Sequence, residues 1–341
     1  MDGDILALCT IQIFILLCIL GAIFYFLGKH LAYRSKVDTL NRTILVTGCD
    51  GGLGFGLAVH FDKIGLRVIA GFTDITSINT SRLKAETSDK LKLIQLDLTT
   101  LDDKQSKTVE SLVAQREGGL WAVIHAPVDC VQGNLQWQSF EHCQKQIDVN
   151  LNSAWKVAKI FAPLLKSKSG RIVFIGSITG SRGLPGLPVY SASAQGVEAL
   201  SQALRHEYME AKIDVVIVRP GGLECLAQRW LSGARQKEMN EMWDRMTVEQ
   251  RKENEPFFVA YHNNMAKSID KYDRDESIPI PEYITDAFEC AILDKKPLAR
   301  YSGAPGLGAR FKRVLLKTVP FISSYYTKRF YNENVLCTSA V

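Results

Sequence analysis

The chain has 341 residues, 46% of them hydrophobic, enough to bury one large core, so one domain with appendages is the default reading. Its formal charge of +5 is modest, and basic residues gather near the two ends, which points to a membrane surface and away from nucleic acid. Eight cysteines stand apart without C-x-x-C pairs or metal-ligand spacing, so they read as reduced thiols, and neither a disulfide scaffold nor a metal centre is expected.

Ile5 to Gly28 is a run of 24 residues without a charge, long enough to span a bilayer. Asp2 and Asp4 precede it, and Lys29, His30, Arg34 and Lys36 follow. A secretory signal would have a basic start, a shorter apolar run and a small-residue cleavage site, none of which is present. Residues 1–4, 5–28 and 29–40 therefore read as a short terminus, a retained single-pass anchor and a basic, polar linker. The charge bias places the bulk of the chain in the cytosol. Asn41-Arg42-Thr43 and Asn79-Thr80-Ser81 spell glycosylation acceptors that would report the opposite topology.

Thr43 to Val46 reads as a first strand running into Thr47-Gly48-Cys49-Asp50-Gly51-Gly52-Leu53-Gly54, after which Leu57, Ala58, Phe61 and Ile64 mark an amphipathic helix. Strand, glycine turn and helix start together make a pyrophosphate cradle, with Thr47, Gly48, Gly52, Leu53 and Gly54 as the candidate contacts. Arg67 to Gly71 gives a second strand. An acid at its end would hold an adenosine ribose, and Asp74 is the candidate. No cation stands in the glycine loop, which favours NAD without excluding NADP. Leu91 to Leu96 is a third strand ending in Asp97, and Leu120 to Ile124 a fourth ending in His125-Ala126-Pro127-Val128. His125 reads either as a new acid/base or as a buried neutral imidazole. A helix from Phe140 carries Asp148-Val149-Asn150.

Ile172 to Ile175 forms a fifth strand with Ser177 at its end. A loop rich in Gly and Pro follows, and Tyr190 stands thirteen residues after Ser177, at a helix start. Asp214 to Val218 is a sixth strand ending in Arg219-Pro220-Gly221-Gly222, and Ala299 to Ser302 a seventh. Residues 224–280 form a charged region with Trp230, Met239, Met242, Trp243 and Met246, read as helix packing or as a substrate box. Residues 305–341 mix apolar and basic side chains, as in a segment lying on a membrane or against the domain itself. Strands alternate with helices throughout 41–304, which specifies an α/β, doubly wound parallel sheet of Rossmann type.

The glycine loop, Asn150, Ser177, Tyr190 and Pro220-Gly221 together resemble the short-chain dehydrogenase/reductase family, across roughly Thr43 to Phe330. The Leu-Ala-Arg-Tyr-Ser stretch and the N-terminal anchor resemble its membrane-bound retinol and 17β-hydroxysteroid dehydrogenase branch. The resemblance implies Tyr190 as proton donor or acceptor, Ser177 on the substrate oxygen and Asn150 in a proton relay. It puts Asp97 on the adenine, unless Asp97 only caps a helix, and Pro220-Gly221 beside the nicotinamide. Residues 224–280 would form the substrate lid. Substrates would be hydrophobic alcohols or ketones: steroids, sterols or retinoids. An endoplasmic reticulum membrane location follows the same branch, and a homodimer is compatible with it.

Three positions depart from that family. Ala194 stands where its Tyr-x-x-x-Lys lysine belongs, Pro127-Val128 where it has Ala-Gly, and Cys225 where a threonine holds the carboxamide. Arg182, in the loop before Tyr190, is the nearby cation that could stand in for the lysine. Two function classes stay open: an oxidoreductase with an incomplete catalytic set, or a catalytically dead fold that binds a dinucleotide, a sterol or a partner.

Overall fold

The computed structural model describes residues 2–32, 35–101, 103–115, 118–166, 169–177, 183–220, 234–270 and 280–303. The basic apolar segment 305–341, Arg182, Gly221, Cys225 and Trp230 lie outside the described residues.

Strands β1 (Thr43–Thr47), β2 (Arg67–Phe72), β3 (Lys92–Gln95), β4 (Leu120–His125), β5 (Arg171–Ile175), β6 (Asp214–Arg219) and β7 (Arg300–Ser302) pair in parallel in the order β3-β2-β1-β4-β5-β6-β7. Each falls within a residue or two of its sequence-based position; β3 is one residue shorter at either end than Leu91 to Leu96. The order reverses between β1 and β4, so the carboxyl ends of those two strands border the crevice where such sheets bind ligands.

Both faces of the sheet are covered, which explains why its strands are near-continuous apolar runs. On one face α2 (Gly52–Lys63), α3 (Ile78–Glu86) and α10 (Glu282–Leu293) bring Phe61, Leu83 and Phe288 against Ile44, Val46 and Val68. On the other, α4 (Asp103–Ala114), α6 (Ser153–Lys166) and α7 (Pro188–Glu207) bring Val109, Phe161 and Val197 against Leu45, Ile69 and Ile172. Helix α5 (Phe140–Ile147) runs into α6 through a π-helical turn, Asp148–Asn152. Helices α8 (Ala234–Arg245) and α9 (Val248–Asp270) lie over the carboxyl edge of the sheet. There Met242, Met246, Phe258 and Tyr261 pack with Val131 and Trp137, so these apolar residues form a helix-packing cluster.

The amino edge of the sheet is tied by charge. Arg171 is 1% exposed, and its guanidinium donates to the carbonyls of Ala291 and Asp294 at 3.0 Å, at the electronegative end of α10. Burial pushes the Arg171 pKa down to about 10, so it stays charged at neutral pH. Trp121 lies between Arg171 and Arg42 and donates its indole N–H to Ile292. The linker docks at the same place: Val37 N–H reaches the Leu293 carbonyl at 2.7 Å, Lys295 N–H reaches Ser35 at 2.8 Å, and Lys36 pairs with Glu289.

Helix α1 (Asp2–Ala32) precedes the linker. Among the described residues no helix is long and apolar enough to cross a membrane, which differs from the expected span. The described side chains of α1 run from Thr10 to Tyr25 and are all exposed.

Phe161 is fully buried against the sheet, so Phe161→Ala should cost about 3–5 kcal/mol. A urea midpoint that falls while the slope of the transition stays constant checks this.

Candidate active site

The loop after β1 is held by backbone contact. Gly48 (φ 70°) and Gly52 (φ 56°) adopt left-handed conformations that other residues take only with strain. A side-chain carbon at position 54 would lie 2.2 Å from the Gly48 carbonyl oxygen, and one at 48 would lie 2.7 Å from the Pro127 nitrogen. Cys49, fully buried, directs its thiol at the carbonyls of Val46 and Gly54, and burial raises its pKa well above the ordinary thiol range. Gly51 caps α2 without a side-chain bond, so the helix opens on bare N–H groups. This cradle fits a dinucleotide pyrophosphate.

Beside it, Thr47 Oγ1 lies 3.4 Å from His125 Nδ1, and Ser153 Oγ lies 3.0 Å from His125 Nε2. Ser153 donates to the Val149 carbonyl at 2.5 Å, so its oxygen accepts from an Nε2–H tautomer of His125. The histidine is 3% exposed, and burial lowers its pKa to about 3. It is the buried neutral imidazole, a brace between β1, β4 and α6 and not an acid/base.

Asn150, in the π-helical turn, is the second brace. Its Oδ1 accepts from Asp129 N at 2.7 Å, while its Nδ2 donates to Asp129 O at 2.7 Å and Ser193 Oγ at 2.9 Å. Ser193 in turn donates to the Tyr190 carbonyl at 2.9 Å, on the first turns of α7. Both amide hydrogens of Asn150 are thus taken by protein, and only one lone pair of Oδ1 remains for a water. Ser177 follows β5 at the same carboxyl edge and is half-buried. Tyr190 is 7% exposed and packs with Val128, Cys130, Leu184 and Leu187. Ala194, also 7% exposed, stands one turn further along α7.

The two acids named for the adenosine side are engaged locally. Asp74 Oδ1 accepts from N and Oγ1 of Thr76 at 2.8 and 2.6 Å, bonds that hold its carboxyl below the usual range. Asp97 Oδ1 accepts from N and Oγ1 of Thr99 at 2.9 and 2.7 Å. Burial raises the Asp97 pKa, but the bonds from Thr99 and Thr100 outweigh it and leave the pKa lowered. Pro220 is buried just past β6. Sequence reasoning passed over Asp50, whose carboxylate meets the end of β2, and Ser193, which joins Asn150 to α7. Asp50 was visible only as an acid inside a glycine loop; nothing in the sequence marks Ser193.

The short chain dehydrogenase family profile matches residues 42–232, more than half of the chain. The chain belongs to the short-chain dehydrogenase family. It is similar to 17-beta-hydroxysteroid dehydrogenase type 6 of Bos taurus, 32% identical with 87% of this chain and 90% of that protein covered. Retinol dehydrogenase 7 of Rattus norvegicus is 30% identical, with 82% and 85% covered. Mitochondrial D-beta-hydroxybutyrate dehydrogenase of the rat is 29% identical, with 79% of each chain covered. These relatives place it in the retinol and 17β-hydroxysteroid dehydrogenase branch and support an oxidoreductase role. A short-chain dehydrogenase from Streptomyces avermitilis shares the fold: TM-score 0.59 at 17% identity, covering 89% of this chain and all of that one.

The neutral His125 makes this short-chain dehydrogenase acid-sensitive. Its pKa falls from 6.5 to about 3 on folding, so the unfolded chain binds the extra proton. Its contribution to stability is complete above pH ~6.5 and is lost as pH falls toward the folded value, at ~1.4 kcal/mol per pH unit. Between pH 7 and pH 5 the protein should lose about 2 kcal/mol more than the His125→Asn variant, measured by urea unfolding at both pH values.

Proposed function

We propose that the protein is a membrane-anchored, NAD-dependent oxidoreductase that interconverts a hydrophobic alcohol and its ketone or aldehyde, of steroid, sterol or retinoid class. The observation that carries this reading is the Asn150 brace. It fixes Asp129, Ser193 and the backbone of Tyr190 to one another, so the support of a proton-transferring tyrosine is intact. The substrate class rests on the steroid and retinol dehydrogenases among the relatives. NAD is preferred to NADP because the glycine loop carries an acid and no cation.

NAD would be held by Thr47, Gly48, Gly52, Leu53 and Gly54 at the pyrophosphate, Asp97 at the adenine and Pro220-Gly221 at the nicotinamide. When bound, it supplies the hydride acceptor or donor. Tyr190 passes a proton to or from the substrate oxygen, Ser177 donates a hydrogen bond to that oxygen, and Asn150 holds the helix on which Tyr190 stands. A free tyrosine titrates near 10, so about one part in a thousand is phenolate at neutral pH. A neighbouring lysine would lower that pKa by roughly one to three units, and Ala194 cannot. Turnover is therefore slow.

A second reading has its own observation. Val128 packs in one cluster with Tyr190, Cys130 and Leu187, on the side where the family keeps a glycine. A filled nicotinamide subsite would make the chain a binding protein in place of an enzyme.

The anchor belongs to this proposal through the uncharged run Ile5 to Gly28, with the domain in the cytosol at the endoplasmic reticulum membrane. A homodimer, and the 305–341 segment lying on the bilayer, fit the same picture. Asn41 is exposed and serves as topology reporter; a glycosidase-sensitive mass shift mapped to it would put the domain in the lumen.

The decisive experiment adds the lysine. Position 194 is one turn past Tyr190, so Ala194→Lys should raise steroid or retinoid oxidation by about tenfold or more, with most of the gain below pH ~8. The gain should vanish in Ala194→Lys with Tyr190→Phe. Absence of turnover and of NADH binding in every form would favour the second reading.

A further inference from the structure

We propose that Asp50, inside the glycine loop, is the acid that receives the adenosine ribose hydroxyls and turns away a 2′-phosphate, a task the position of Asp74 at the end of β2 would otherwise assign to Asp74. The proposal rests on the dinucleotide site of the preceding section and deepens it.

The geometry separates the two acids. Asp50 Oδ1 accepts from Thr73 N at 2.8 Å and from Asp74 N at 3.4 Å, and its Oδ2 accepts from Thr73 Oγ1 at 3.1 Å. Its backbone carbonyl takes the Asn79 amide at 2.6 Å. These bonds close the loop after β1 onto the loop after β2, the two segments between which a doubly wound sheet seats an adenosine ribose. A carboxylate accepts along about four lone-pair directions, and Asp50 spends three. The fourth, on Oδ2, is left for a ribose hydroxyl, and Asp50 is only half-buried. Asp74, by contrast, spends its Oδ1 twice on Thr76, closing the turn that leads into α3. Its Oδ1 is held by its own turn, whereas both oxygens of Asp50 reach the loop after β2.

Charge points the same way. Among the described residues Asp50 has no ion-pair partner, so its negative charge is not cancelled at close range. Arg82, the cation nearest to this loop in sequence, pairs with Glu86 at 3.0 Å and lies over the Phe55 ring at 5.3 Å. A phosphate dianion within ~6 Å of one carboxylate in water is disfavoured roughly tenfold. Gly51 and Gly52 put no side chain between Asp50 and the pyrophosphate cradle, so Asp50 is the first charge a 2′-phosphate would meet.

The test uses the full chain in detergent and titrates it calorimetrically with ADP and with 2′-phosphoadenosine 5′-diphosphate, probes that carry the adenosine end alone. The wild type should prefer ADP by about tenfold. Asp50→Asn keeps an oxygen for Thr73 N but loses the charge, and should bring the ratio close to one. Asp74→Asn should leave it within about twofold. Asp50→Ser, with a shorter acceptor, gives the same readout should the asparagine variant unfold on heating at lower temperature than the wild type. A ratio that collapses with Asp74→Asn and survives Asp50→Asn overturns the assignment. So does a folded wild type that binds neither probe or prefers the 2′-phosphate. ADP binding that follows this pattern without any NADH binding would sustain the role of Asp50 while refuting the oxidoreductase reading.

Discussion

A side-chain carbon on residue 54 would lie 2.2 Å from the Gly48 carbonyl oxygen, and a side-chain carbon on Gly48 would meet Pro127. The site depends on that crowding of three backbone segments at the reversal of the sheet. It brings the end of β1 against the end of β4, opens α2 on unpaired N–H groups, and leaves Asp50 to reach across to β2. Glycine is required at 48 and 54 for lack of room, and at 48 and 52 for left-handed backbone as well.

Around that contact the protein uses neutral polar groups in place of charges. His125 is desolvated and uncharged, held by Thr47 and Ser153, and Asn150 binds the backbone of Asp129 from both its ends. Buried polar groups cost little when each finds a partner, and satisfied networks of this kind fix one arrangement of the chain. The backbone of Tyr190 is thus braced, Ala194 one turn further along α7 carries no charge, and Val128 packs against Tyr190.

One set of charges lies at the far end of the sheet. Arg171, stacked on Trp121, satisfies the last carbonyls of α10, and Lys36 binds the linker to Glu289 on the same helix. The linker therefore meets the domain at the amino edge of the strands, and the candidate site opens at the carboxyl edge. Tyr261 of α9 sits so close to Gly186 that a side-chain carbon there would lie 2.5 Å from its hydroxyl oxygen. The helical layer over the site is tied in this way to the loop that carries Leu184 and Leu187.

The sequence by itself determined the strands, their parallel doubly wound arrangement and the glycine cradle. Strands buried on both faces must be apolar runs, and a turn without room for side chains must be glycine; both constraints are local and leave a mark in the residues. It also showed Ser177, Tyr190 and Asn150, and the alanine at 194. Only the tertiary structure decided which partners the polar groups chose. Asp74 and Asp97 read as ligand acids because they end strands, and threonines two residues on bond one oxygen of each. Asp50 reads as filler between glycines until the end of β2, more than twenty residues away, is folded against it. His125 was either acid/base or buried brace until Ser153 and the closed sheet removed it from water. A carboxylate or an imidazole takes its function from the donors, charges and solvent around it, and those are brought together from distant parts of the chain.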